Sequence, residues 1–426
     1  MKNLKNKIIN IDKKKVLKKA TFWNLVASML NAFMSAIFLF FITRINGVDE
    51  AGMFTIASAF AYQALSLGSF GVRNFQASDV KEEYKYSDYV YTRVMSGTLM
   101  YMLLIYFAFF KGYTIEKALI ILTFGLYKSI DAIEDVIHGE FQRRGRLDIG
   151  CLVQSVRYIC SIIFLIIILL ITKNVIISCS LLTVFTIFLL IILNIPFKKE
   201  FINEKISFNR KKTIKLFFTC LPICISNAVN MYVVNCPKYA IDNILTDKYQ
   251  TYYGVLSMPV FTINLLSMVI YRPYVKSLGD SWQNKNIKEF RKIILKQLLI
   301  ILLLTIGISL FGYIIGLTVI EIIYGIKLHS YMLSFILLLI GGGMNALSGY
   351  LSVILTTQRN QNKLLFGYIF TFIVALLTSN IFVKSKGILG AAYLYCFINL
   401  VTVIIFSIFI IKNINQLKGV KNEKNK

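Results

Sequence analysis

The sequence predicts an all-α, polytopic membrane protein: about twelve transmembrane helices in two six-helix pseudo-repeats around a central cavity. Three observations predict it. Apolar runs of ~20 residues, the length that crosses a ~30 Å hydrocarbon core, recur along the whole chain. Lys and Arg gather in alternate loops between those runs. The two halves carry matching residues in the same order.

The chain is 57% hydrophobic and only 16% charged, with a mean hydropathy of +0.66. A soluble domain of this length does not need so much apolar surface. The apolar runs fall at 22–43, 51–72, 92–110, 115–137, 151–172, 175–195, 216–236, 249–271, 297–319, 330–355, 364–383 and 387–411. The gaps between them reach only ~20–25 residues, too short for a soluble module. The expected organisation is a basic cytoplasmic N-terminal segment (1–21), a first half (22–195), a basic cytoplasmic linker (196–215), a second half (216–411) and a basic cytoplasmic tail (412–426).

The net charge of +26 first suggests nucleic acid, but its distribution argues for membrane orientation. The N-terminal stretch holds Lys2, Lys5, Lys7, Lys13, Lys14, Lys15, Lys18 and Lys19. Later clusters are Arg143/Arg144/Arg146, Lys198/Lys199, Arg210/Lys211/Lys212, Arg291/Lys292 and Lys418/Lys421/Lys424/Lys426. With the N-terminus inside, about 37 basic residues fall in cytoplasmic segments and about nine outside. Both termini are therefore expected in the cytoplasm. The first apolar run is too long for a secretory signal, and no cleavage site follows it. The seven cysteines form no CxxC pair and read as small packing residues. His138 and His329 lie far apart, so no metal site is expected.

The halves match at several points. Arg73 and Arg272 end corresponding runs 199 residues apart, and Phe54 and Tyr253 keep the same offset. QRRGRL (Gln142 to Leu147) follows the fourth run and QRNQNKL (Gln358 to Leu364) the tenth. A parallel repeat of this kind places a substrate path at the repeat interface.

The segment 115–137 stands apart. Its apolar part, Ala118 to Tyr127, is too short to span, and Lys128, Asp131, Glu134 and Asp135 follow directly. At 100° per residue these four and His138 share an arc of roughly 120° with Phe124 and Tyr127. Intramembrane charges cost on the order of 3 kcal/mol each and face a bundle interior or a water-filled cavity. Two readings stand. An internal pair, Lys128 with Asp131 or Asp135, staples the fold. Alternatively the face lines a cavity, because one cation does not neutralise three acids. Lys128 then helps hold an anionic substrate, while Asp131, Glu134 or Asp135 binds a coupling H+ or Na+. No other cofactor is expected.

Other polar groups lie in apolar runs. Arg157 follows Gln154 and Ser155. Asn227 and Asn230, with Lys238 and Asp242, are the candidate outer gate; a local Lys238–Asp242 pair is the plainer reading. Arg44, Arg73 and Arg272 sit at run ends, where snorkelling to headgroups competes with function. Pro222, Pro237, Pro259 and Pro273 all fall in the seventh and eighth runs or their link. Pro222 and Pro259 are candidate hinges, with static kinks as the alternative. Gly341, Gly342 and Gly343 give the tenth run a close-packing face. The chain shows no P-loop, no nucleophile elbow and no HExxH, and nothing in it reads as an enzyme.

Several strings carry a family resemblance: RINGVDEAGMF (Arg44 to Phe54), FGVRNFQASD (Phe70 to Asp79), GEFQRRGRLD (Gly139 to Asp148), NCPKYAID (Asn235 to Asp242), MPVFTINLLSMVIYRP (Met258 to Pro273) and YGIKLHSYMLSFILLLIGGG (Tyr324 to Gly343). Together they resemble the polysaccharide flippases, the Wzx-type oligosaccharide-lipid translocases. These share a superfamily with the multidrug and toxin extrusion transporters. In the family the first string reads Arg-x-Leu-Gly and then Gly-x-Phe/Tyr; here Asn46 replaces the apolar residue. The resemblance covers essentially the whole chain.

The resemblance implies a polyprenyl-diphosphate-linked oligosaccharide flipped from the cytoplasmic to the outer leaflet of a bacterial cytoplasmic membrane. The product would feed capsule, O-antigen (lipopolysaccharide) or exopolysaccharide biosynthesis, by alternating access of two rocking halves. Membrane lipids and the polymerase and glycosyltransferase machinery are the implied partners, and nucleic acid is not. For the diphosphate, the cations inferred from charge and position are Lys128 and Arg157, joined by Arg73 and Arg272. The rival reading is a cation-coupled multidrug exporter, which would carry acids in a less cationic cavity. A membrane polymerase or ligase would need a sizeable external loop, and a structural subunit would need a separate ATPase.

Overall fold

The computed structural model describes residues 13–79, 82–202 and 207–423, with side chains described from Lys15 to Leu417 outside the two gaps. The basic stretch to residue 12, part of the 196–215 linker and the end of the basic tail lie outside the described residues. The helices are α1 Lys13–Ile45, α2 Val48–Ser69, α3 Val72–Ser78, α4 Tyr86–Phe110, α5 Ile115–Arg143, α6 Leu147–Thr172, α7 Val175–Phe201 and α8 Arg210–Ile244. They continue as α9 Asp247–Leu256, α10 Met258–Tyr271, α11 Val275–Gln283, α12 Ile287–Phe311, α13 Leu317–Tyr324, α14 Met332–Thr357 and α15 Gln361–Glu423. The described residues contain no strand.

Nine helical stretches among the described residues are long and apolar enough to cross a membrane. One of them, Gln361–Leu417, is two helices meeting at Gly387, whose backbone (φ 57°, ψ −130°) only glycine adopts readily. The two remaining predicted runs lie in α2, rich in Ala and Ser, and in the charged α5. The fold is therefore all-α and polytopic, with about twelve membrane helices, as the apolar runs predict.

The differences are local. α1 starts at Lys13, ahead of its apolar run, because residues 13–21 contain no breaker. The run 249–271 is split into α9 and α10, with Pro259 in the first turn of α10. Proline is tolerated there because that N–H has no helical partner. Side chains start other helices: Thr114 accepts from the Lys117 N–H at 3.4 Å, Asn174 from Ile177 at 3.0 Å, and Asn286 from Glu289 at 3.2 Å.

The chain forms two compact units, Met1–Met231 and Tyr232–Lys426, whose boundary falls inside α8. In the first unit α5 is the hub, packed against α2, α3, α4, α6 and α7. In the second, α14 holds that place, packed against α10, α11, α12 and α15. Three successive glycines let it do so. A Cβ on Gly341 would lie 2.6 Å from Tyr395, one on Gly342 would lie 3.0 Å from Val260, and one on Gly343 would run into Thr305. Outward-facing side chains such as Phe110, Ile322 and Leu377 are apolar and exposed, as lipid contact requires.

Candidate functional site

α5 is long enough to span, but its centre carries the charges that the sequence singles out. The structure folds that charged face inward. Lys128 is fully buried, with its Nζ 2.9 Å from Asp131 and 3.5 Å from the Asn31 side chain on α1. Three tyrosine rings surround the ammonium: Tyr62 at 4.7 Å, Tyr127 at 5.2 Å and Tyr158 at 5.9 Å. Arg157 on α6 is also fully buried. Its Nη2 pairs with Asp131 and lies 2.8 Å from Glu134, and its Nε donates to Glu134 at 2.8 Å.

Glu134 has two further partners, one on α7 and one a turn along its own helix. Asn194 donates to it at 3.0 Å, and His138 lies 3.7 Å away. Asp135, 20% exposed, receives Arg73 at 3.0 Å and Arg93 at 2.7 Å. Arg93 also donates to the Gly68 carbonyl at the end of α2. Four cations, Lys128, Arg157, Arg73 and Arg93, thus face three carboxylates. The cluster carries one net positive charge, and the Arg157 Nη1 has no hydrogen-bond partner among the described residues.

The cavity-lining expectation is corrected accordingly. Lys128, Asp131 and Glu134 turn to protein and not to water. The reason is that the missing countercharges come from other helices: Arg73 from α3, Arg93 from α4 and Arg157 from α6. The local alternative is also incomplete. Lys128 pairs with Asp131, but Asp135 is held by the two arginines. Arg73 and Arg157 are brought to the cluster as acid partners. Arg272 is not among them: it is exposed in the 3₁₀ turn Arg272–Tyr274 of the second unit. Asn227 is exposed and Asn230 half-buried in the first unit, while Lys238 and Asp242 are half-buried in the second. Pro222 is exposed within an unbroken α8, and Pro259 stands at a helix break.

A second ion network closes the end of α5. Glu140, fully buried, accepts from Arg143 at 2.8 Å, Arg144 at 2.9 Å and Gln76 at 3.1 Å. Arg143 also reaches Asp79 at 3.8 Å. The QRRG turn is thus an ion-paired corner.

Three features escape a reading of charge alone. Asn24, Ser28, Asn31 and Ser35 are spaced four, three and four along α1 and are all half-buried, a polar stripe on one helix face. Arg93 is the lone charge of its apolar run, and Asn194 is the lone amide in the middle of α7. An isolated polar residue in a membrane run was the signal for both.

Beside the cluster runs a furrow of about 620 Å³ along α4, α5 and α7. α4 lines it from Tyr86 to Ile105, about 28 Å at ~1.5 Å per residue. Its walls include Val94, Met102, Ile105 and Ile133, all exposed on the lipid-facing side. Arg93 and Lys198 are its cations, and the Lys198 ammonium lies 5.5 Å from the Tyr86 ring centroid. Among the described residues, no group of three or more His, Cys, Asp or Glu converges to hold a metal ion.

No protein-family model and no curated protein matches the chain. Solved structures do. An inward-facing multidrug resistance MATE family transporter of the MOP superfamily aligns with TM-score 0.63 at 14% identity, over 97% of each chain. A Vibrio cholerae MATE transporter in the bent form aligns at 0.60 and 11%, over 95% of this chain and 98% of its own. A Pyrococcus furiosus MOP superfamily transporter, described by the reverse polarity of its binding pocket, aligns at 0.62 and 10%, over 97% and 98%. The chain shares the fold of these transporters.

Proposed function

We propose that this chain is an alternating-access membrane transporter that flips an anionic, sugar-bearing lipid. The substrate is a polyprenyl-diphosphate-linked oligosaccharide, moved from the cytoplasmic to the outer leaflet for cell-surface polysaccharide biosynthesis. The observation that carries this reading is the apolar furrow and its link to the charge cluster through Arg93. An amphiphile that changes leaflet keeps its tail in hydrocarbon while its headgroup crosses. A furrow about 28 Å long, open to lipid, suits such a tail. The net positive cluster suits a diphosphate, because guanidinium groups bind phosphate oxygens in bidentate fashion. On this reading Arg93, the cluster member that lines the furrow, is the guanidinium the headgroup meets. The half-buried Tyr62, Asn31 and Gln63 offer the mixed aromatic and amide surface that sugars require.

The second reading is a cation-coupled multidrug exporter. It is favoured by the multidrug function named for a transporter of the same fold. Against it, Asp131, Glu134 and Asp135 already have fixed cationic partners, so none is free for a cationic drug. For a transporter of this fold, reversed polarity of the binding pocket has been described as suggesting a different function.

The test is deletion of the gene in the source cell, followed by probing of intact spheroplasts with an impermeant glycan-labelling reagent. A complete oligosaccharide-lipid should accumulate, protected, on the inner leaflet. Normal arrival at the outer leaflet overturns the flippase reading. Drug resistance conferred on an efflux-deficient host then establishes the exporter.

A further inference from the structure

The second unit carries a separate polar cavity of about 530 Å³ at the start of α12. Lys288, Lys292 and Lys296 line it at spacings of four, so they share one helix face. Tyr274, from the 3₁₀ turn before α11, forms the opposite wall, with the Lys296 ammonium 5.7 Å from its ring centroid. Asn286 and Glu289 also line the cavity but are occupied with each other as the helix cap. The three lysines therefore leave an excess of two positive charges over Glu289.

The deciding residue is Gln297. It lines the same cavity and is fully buried, yet neither its amide nitrogen nor its carbonyl oxygen has a hydrogen-bond partner among the described residues. A buried amide with both ends unpaired is rare, because desolvation without compensation is unfavourable. Ile293 and the apolar faces of α12 offer nothing polar in exchange. An amide beneath three lysines presents one neutral donor and one acceptor under a positive rim. That combination suits a phosphate group attached to a hydroxyl-bearing neighbour: lysines and the amide N–H to the phosphate oxygens, the amide oxygen to a hydroxyl.

We infer that this cavity is a binding site for the phosphate of an anionic membrane lipid, distinct from the transported substrate. Its position favours a lipid over a soluble phosphate. Lys288, Lys292 and Lys296 occupy the first turns of a membrane helix, and basic pockets between membrane helices capture lipid headgroups. A glycerol-type headgroup supplies the hydroxyl that the Gln297 oxygen accepts. This site does not depend on which molecule the protein transports.

The experiment is native mass spectrometry and thermal denaturation of the purified full chain, loaded with dioleoyl phosphatidylglycerol or with dioleoyl phosphatidylcholine. The wild type should retain phosphatidylglycerol preferentially and be stabilised by it. Changing Lys288, Lys292 and Lys296 together to Gln should weaken retention about a hundredfold, about fivefold per lysine. The corresponding triple Arg variant should retain it. Gln297→Leu replaces an unpaired amide by an apolar group and should fold at least as well, while losing about tenfold in retention. Unchanged phosphatidylglycerol retention in Gln297→Leu overturns the proposal, even if the triple variant does not fold. Stabilisation by orthophosphate in lipid-free detergent, with none by phosphatidylglycerol, overturns the lipid source.

Discussion

The Arg93 guanidinium lies 2.7 Å from the Asp135 carboxylate, and the same arginine forms part of the wall of the lipid-facing furrow. One residue thus joins the ion cluster to the surface where a lipid tail can lie. Removing one partner of a buried pair leaves the other charged and desolvated. Arg93→Gln should therefore cost about 3 kcal/mol of stability. Asp135→Asn also takes the carboxylate from Arg73, so Arg93→Gln with Asp135→Asn should lose less than the sum of the two single losses without returning to wild type. Thermal denaturation of the two single variants and the double variant gives the coupling; strictly additive losses contradict the pairing.

Gly97 faces the furrow, and a Cβ there meets no atom within 4 Å. Gly97→Phe should fold with an unchanged melting temperature while filling the furrow. Outer-leaflet delivery of the oligosaccharide-lipid should fall at least tenfold in cells that express it normally. Gly307→Phe is the control: its Cβ also meets open space, and it does not line the furrow. Full delivery by the Gly97 variant removes the furrow from the mechanism.

The hub of the second unit depends on glycine. Gly341→Leu pushes a side chain into Tyr395 and Cys396, where even a Cβ would lie 2.6 Å and 3.2 Å from the nearest atoms. Overpacking of this kind costs about 1–3 kcal/mol. Gly349→Ala, on the same helix, meets only the Tyr271 hydroxyl at 4.0 Å and should be neutral. Equal melting temperatures for the two variants would refute the packing account.

Asp79, in the loop before α4, gives a pH dependence of known sign. Burial pushes its carboxyl up, but the Tyr89 hydroxyl at 2.7 Å, the Glu83 and Tyr84 N–H groups and the nearby Arg143 outweigh that, so it is held below the ordinary range. A depressed carboxyl stabilises the fold above its unfolded value of ~3.9, and that contribution is lost as pH falls through the folded value. Asp79→Asn should lower stability near neutrality and flatten the acid limb below about pH 4. Parallel acid limbs in the two proteins would show that the carboxylate is not held this way.

The membrane class, the number of helices and their rough bounds were legible in the sequence, because a spanning helix must be a long apolar run whatever surrounds it. So was the importance of Lys128, Asp131, Glu134 and Asp135: four ionisable groups in an apolar segment need an explanation within the fold. The close-packing role of Gly341 to Gly343 was also readable, since small residues in a membrane helix mark contact with neighbours. The partners of the charges were not readable. Arg93 and Arg157 lie 42 and 26 residues from the acids they pair with in sequence, and sequence spacing carries information only about neighbours on one helix. Counting charges within a single segment left three acids to one cation and pointed to water. Only the packing of α3, α4 and α6 against α5 supplied the other cations and turned that face inward. The furrow and the unpaired amide of Gln297 belong to the same class, because both are properties of the space between helices, which no single segment contains.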